Sequence, residues 1–143
     1  MSTEPKTSSI ANAERVHAVW DYYDGPREGI ADFQGKPHVF KCHFSEAADG
    51  WTDLFWLMEI DQQLFQLAIE QHVIFRRWKT EFELGNVLID SHPAMPADRA
   101  RYDELRADIG DRLQLQPERS IIRRGRFSNQ SSFDGAVVKW AMP

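Results

Sequence analysis

The apolar residues of this chain change period twice, and that ordering constrains the fold more than any other feature. Between Val16 and Met58 they recur at every second position. From Asp61 to Leu84 they recur every three or four, and after Pro117 every second position again. A period of two sends alternate side chains to opposite faces of a strand. A period near 3.6 gathers them on one stripe of a helix. Strands, then helices, then strands describe an α+β chain. Its 143 residues suit a single domain with an ordinary core. A chain of this length buries about 68–70% of its unfolded surface without help from a metal or a disulfide.

Residues 1–13 are Ser-, Thr- and Ala-rich without periodicity and are expected to form a flexible tail before one α+β domain at 14–143. Three strands follow, over Val16–Tyr23, about Glu28–Gln34, and Pro37–Phe44. Turns at Asp24-Gly25-Pro26-Arg27 and Gln34-Gly35-Lys36-Pro37 join them into an antiparallel meander. Trp51–Met58 is apolar on both faces, as a central strand would be. Asp61 is positioned to cap a helix that runs to Leu84, with Gly85-Asn86 closing it. Leu64, Leu67, Ala68, Phe75, Trp78 and Phe82 form its stripe, widened by Phe65, Ile69 and Val73. A connector with Pro93 and Pro96 leads to a second helix over 97–114. Its stripe is narrow, and its outer face offers the pairs Asp98–Arg101, Asp103–Arg106 and Asp108–Arg112. Ser120–Ser128 and Ala136–Met142 are strands joined by a loop at 129–135. This hairpin is expected to return to the N-terminal meander, giving one antiparallel sheet or half-barrel with two helices inserted in sequence.

Charge narrows the function. Seventeen Lys and Arg against 22 Asp and Glu leave −5, whereas dedicated nucleic-acid binders carry a basic surplus. A single cysteine excludes an intramolecular disulfide framework and a Cys-rich zinc site. No apolar run approaches the roughly 20 residues that cross a bilayer, and the first residues lack the apolar core of a secretory signal. The expectation is a soluble, cytoplasmic protein without a membrane partner.

The densest group of chemically capable residues surrounds the first turn. Asp24 and Arg27 stand three apart and can bond each other or a ligand. Trp20, Tyr22 and Tyr23 supply aromatic walls beside them, and His38 and Asp32 follow on the next strands. Tyr22, Tyr23, Asp24, Arg27, Asp32 and His38 are therefore candidate binding residues. Asp24 and Asp32 could share acid–base work if the fold joins them. The competing reading is a turn held by its own hydrogen bonds, with aromatics filling the sheet. His38, Cys42 and His43 do not make a metal site. Neighbouring strand positions face opposite ways, and His38 and Cys42 lie about 13 Å apart at about 3.3 Å per residue. Cys42 between Phe40 and Phe44 reads as a core thiol. Arg123, Arg124 and Arg126 are candidates for phosphate contact, weighed against an edge strand that uses charge to resist aggregation. Trp51, near Glu46, Asp49 and Asp53, has the character of a protein-contact hot spot. The sequence holds no nucleophile elbow, phosphate-binding loop or dinucleotide fingerprint. No cofactor is expected.

The stretch Trp20–Phe40, WDYYDGPREGIADFQGKPHVF, resembles a signature of small uncharacterised bacterial proteins. The likeness covers the first third of the chain, implies a bacterial cytosolic setting and carries no activity. In size and acidity the chain is also similar to immunity proteins, which bind a toxin and block it. The residues together point to a non-enzymatic protein-binding domain, immunity-like in character. Two alternatives are a small-molecule or nucleotide site, with or without catalysis, at the Asp24–Arg27 turn, and nucleic-acid contact along Arg119–Arg126.

Overall fold

A computed structural model describes residues 13–45, 47, 50–128 and 136–143. Four strands come first: β1 (Ala13–Tyr22), β2 (Pro26–Phe33), β3 (Lys36–Ser45) and β4 (Gly50–Glu59). Helices α1 (Gln62–Glu83) and α2 (Arg99–Ile109) follow, then β5 (Ser120–Ser128) and β6 (Val137–Ala141). All strand pairs are antiparallel, in the order β1-β2-β3-β4-β5-β6. The last strand returns to the first, with Ala13–Arg15 opposite Val137–Lys139, so the sheet closes into a barrel. The expected half-barrel is therefore complete. β5 lies between β4 and β6 and is no edge strand, so its arginines guard no open edge. The tail through residue 12 and the loop at 129–135 lie outside the described residues, and Ala13 already belongs to β1.

Alternation fills the barrel. Ala31 and Phe33 on β2, Phe40 and Cys42 on β3, Phe55 and Leu57 on β4, and Val138 and Trp140 on β6 belong to one core cluster. The rings of Phe40, Phe55, Phe127 and Trp140 all lie within 5.3–6.3 Å of one another, centre to centre. Such pairs add about 0.5–1.5 kcal/mol each beyond area burial. A small barrel is filled by its own side chains, and this aromatic plug is the filling. The Trp140 indole donates to the carbonyl of Asp32 at 2.9 Å, so its one polar atom is satisfied. Glu14 closes one end, its carboxylate accepting the Gln34 and Gly35 N–H groups of the β2–β3 turn at 2.8 Å each.

The chain divides into two compact units: residues 1–60 with 115–143, and residues 61–114. The second is the helix pair. Asp61 caps α1 by accepting from the Leu64 N–H at 2.8 Å, and Gly85 at φ +80° follows its last turn. Leu64, Ala68, Ile74 and Trp78 are its buried positions, whereas Val73 is 48% exposed and does not widen the stripe. Trp78 donates to the Ser91 hydroxyl at 2.7 Å and stacks on Phe82 at 5.0 Å. The second helix is shorter than its pattern, because Gly110 takes φ +56° and ends it. Its charges also pair differently. Asp98 receives a forked bond from Arg77 on α1, and Arg101 makes another to Glu70, so the ion pairs bridge the two helices. Glu70 is held below the usual carboxylate range by Arg101. Neither helix is long and apolar enough to cross a membrane.

Candidate functional site

The β1–β2 turn forms one rim of the barrel. Asp24 sits at φ +54° and Gly25 at φ +121°, and the Tyr23 N–H donates to the Gly25 carbonyl at 2.9 Å. Arg27 follows on β2. Two residues back from Gly29 and four from Ala31, it shares their inward face. Its guanidinium does not meet the Asp24 carboxylate, as spacing had suggested. Nε donates to the Tyr23 carbonyl at 2.7 Å and Nη2 to the Asp24 carbonyl at 2.8 Å. Arg27 thus locks the turn through its backbone and leaves the aspartate side chain outside.

The same guanidinium lies 5.1 Å from the centre of the Trp51 ring and points Nη1 at Cys42 Sγ, 3.6 Å away. Trp51 in turn meets Phe44 edge to face at 5.1 Å. Cys42 is buried and donates to the Thr52 carbonyl at 3.1 Å. Burial pushes its thiol above the ordinary range, against the opposing pull of Arg27. Strict alternation places Phe44 beside Cys42 on the core face. A register irregularity between Cys42 and Phe44 breaks that alternation, and Phe44 is exposed. No residue type announces that shift in the sequence.

Tyr22, Tyr23, Phe44 and Trp51 are all exposed, Tyr23 most at 69%. Asp21 and Asp24, on either side of the two tyrosines, are exposed and have no side-chain partner among the described residues. The arginines beside them are already engaged: Arg27 with the turn and Trp51, and Arg124 with Asp53 at 2.6 Å. The hollow between the turn, Asp53 and Gly125 measures about 160 Å³, below the roughly 300–1,000 Å³ of ordinary small-molecule sites. The rim therefore offers exposed aromatic rings, acids without a side-chain partner among the described residues, and a hollow too small for a drug-sized ligand. Glu46 and Asp49 lie outside the described residues.

The other candidates lie elsewhere. His38 pairs with Ala31 and Glu59 near the β2–β3 turn, at the opposite end of the barrel from Asp24. The joint site of His38 with the Asp24–Arg27 turn is therefore not formed. Asp32 is also at that far end, bonded to the His17 ring at 2.9 Å, so Asp24 and Asp32 are not an acid–base pair. It borders a hollow of about 650 Å³ with Glu14, Arg15, Gln34 and Trp140. Arg123 is half-buried and lies 5.4 Å from the centre of the Phe33 ring, whereas Arg124 and Arg126 are exposed. The three arginines do not converge on one patch. Among the described residues no group of three His, Cys, Asp or Glu side chains is placed to hold a metal ion. Comparisons with protein-family models, curated proteins and solved structures return no match.

Proposed function

We propose that the chain is a non-enzymatic binding module that recognises a basic partner protein through the Tyr22–Tyr23–Trp51 rim. The observation that carries this reading is the pairing pattern at the rim. Its arginines are engaged within the site, while Asp21 and Asp24, flanking Tyr22 and Tyr23, have no side-chain partner among the described residues. Tyr and Trp supply rigid contact area at small entropic cost, and free carboxylates steer a basic surface towards them. A barrel plugged by its own rings leaves binding to its rim. The net charge of −5 acts in the same direction over longer range. Small size and acidity favour a partner that binding blocks, as immunity proteins block toxins, and the likeness over Trp20–Phe40 favours a bacterial cytosol.

A photo-crosslinking residue placed at Tyr23, with a control at Gln34 on the other rim, tests the reading in the native host. The expected result is one discrete basic protein captured from Tyr23 and not from Gln34. With that protein purified, Trp51→Ala and the double change Asp21→Asn/Asp24→Asn should each weaken binding at least about tenfold, which is about 1.4 kcal/mol. Equal capture from both positions, or unchanged affinity in both variants, would overturn it.

A further inference from the structure

Among the described residues His38 is the one buried polar side chain, 6% exposed. Its Nδ1 lies 2.8 Å from the Lys36 carbonyl. A carbonyl can only accept, so Nδ1 carries the proton, and in the neutral ring Nε2 is a bare acceptor. No described residue bonds to Nε2. Nε2 is not among the enclosed, partnerless side-chain atoms of the described residues, so it keeps contact with solvent and is open to a donor from outside. The ring borders a concavity of about 230 Å³ that opens at the end of the barrel opposite the Asp24 turn.

The walls of that concavity divide by chemistry. Phe33, Leu57 and Ile121 form an apolar side, and Phe33 meets the His38 ring edge to face at 5.4 Å. Arg119 and Lys36 supply cations, and Glu59, the cross-strand partner of His38, supplies a carboxylate. Arg119 and Glu59 are exposed and have no side-chain partner among the described residues, so both keep their full bonding capacity. A guanidinium matches a carboxylate, sulfonate or phosphate through paired N–H groups. Glu59 and the His38 Nε2 lone pair both require a donor, and an ammonium group is a donor to both.

We infer that this mouth of the barrel binds a small zwitterion, with its anionic group on Arg119 and Lys36 and its ammonium between Glu59 and His38 Nε2. An anion alone would leave Glu59 and Nε2 to solvent, and a cation alone would leave Arg119 and Lys36 to solvent, whereas a zwitterion engages all four. At about 230 Å³ the concavity lies below the roughly 300–1,000 Å³ of sites for drug-sized ligands, so it suits only a compact metabolite of a few heavy atoms and excludes a nucleotide. The pocket shares no residue with the aromatic rim, so the two sites stand or fall separately.

Protein labelled with ¹⁵N-histidine, titrated with glycine, β-alanine, taurine and phosphoethanolamine, tests the assignment through the His38 Nε2 resonance. Acetate and ethylammonium serve as singly charged comparators. At least one zwitterion should move Nε2 saturably, with both comparators at least about tenfold weaker. Arg119→Ala and Glu59→Gln are exposed changes that leave folding intact, and each should weaken the zwitterion about tenfold or more. Trp51→Ala should leave it unchanged. Three results would overturn the proposal: no saturable shift with any zwitterion, acetate binding as tightly as the zwitterions, or unaltered affinity in both pocket variants.

Discussion

At Gly29 an added methyl group would run into the backbone carbonyl of Ala18 on the neighbouring strand, and no rotamer can move that oxygen aside. At Gly125 the added carbon would meet the Trp140 ring at 2.6 Å and the Phe55 ring at 2.9 Å, which can shift slightly. Gly29→Ala should therefore cost more than the roughly 1–3 kcal/mol usual for overpacking, and Gly125→Ala should fall within that range. Urea denaturation of the two variants checks the order; equal losses would refute the rigid-strand explanation. Cys42 gives a pH prediction. Burial raises its pKa in the folded state, so the folded chain holds the proton longer than the unfolded one. Its contribution is intact below the unfolded value of 9.0 and is lost as pH rises towards the folded value. The slope is at most about 1.4 kcal/mol per pH unit. Stability measured between pH 8 and 10 should fall less steeply in Cys42→Ala than in the parent chain. Arg27 shows why such detail escaped the sequence. Its spacing from Asp24 suggested a side-chain pair, but strand alternation turns it inward, where backbone carbonyls are nearer.

At the level of elements, the β1–β6 seam is the shortest pairing among the described residues, Ala13–Arg15 against Val137–Lys139 with one more bond from the Val16 N–H to the Ala136 carbonyl at 3.0 Å. The β3–β4 ladder runs from Ser45 opposite Gly50 to His38 opposite Glu59. Few ladder bonds mean a low free energy of local opening. Amide hydrogen exchange should therefore be faster across the seam than at Val39–Lys41 and Trp56–Met58, and equal protection would contradict it. The strands themselves were legible because apolar residues alternate along most of their length, despite the irregularities in β1 and at Phe44. Closure was not, since periodicity assigns faces but never neighbours. The register explains the misplaced His38 in the same way. Glu28 faces Lys41 and Ala31 faces His38, so a hairpin that looks compact in sequence spreads its residues along the barrel. The second helix was overextended because apolar spacing continues past Gly110, whereas the backbone turns there.

Taken whole, the molecule gives its two barrel mouths different chemistry. One presents aromatic rings and acids without a side-chain partner among the described residues, and the other a concavity lined by His38 and by charges of both signs. The aromatic plug of Phe40, Phe55, Phe127 and Trp140 separates them. The helical unit leaves after β4 and rejoins before β5, and those strands are neighbours, with Met58 opposite Ser120. Its 54 residues therefore interrupt the sequence of the barrel without interrupting its ladder. Closure through β6 has a consequence for how the protein is made. A ribosome delivers β1 first and Val137–Ala141 last of the six strands, so β1 waits with one side unpaired while the rest is synthesised. During that interval the nascent chain exposes a strand edge and three of the four core rings, with Trp140 still to come. The protein is then most open to aggregation, and most in need of a chaperone's cover, just before translation of its last strand.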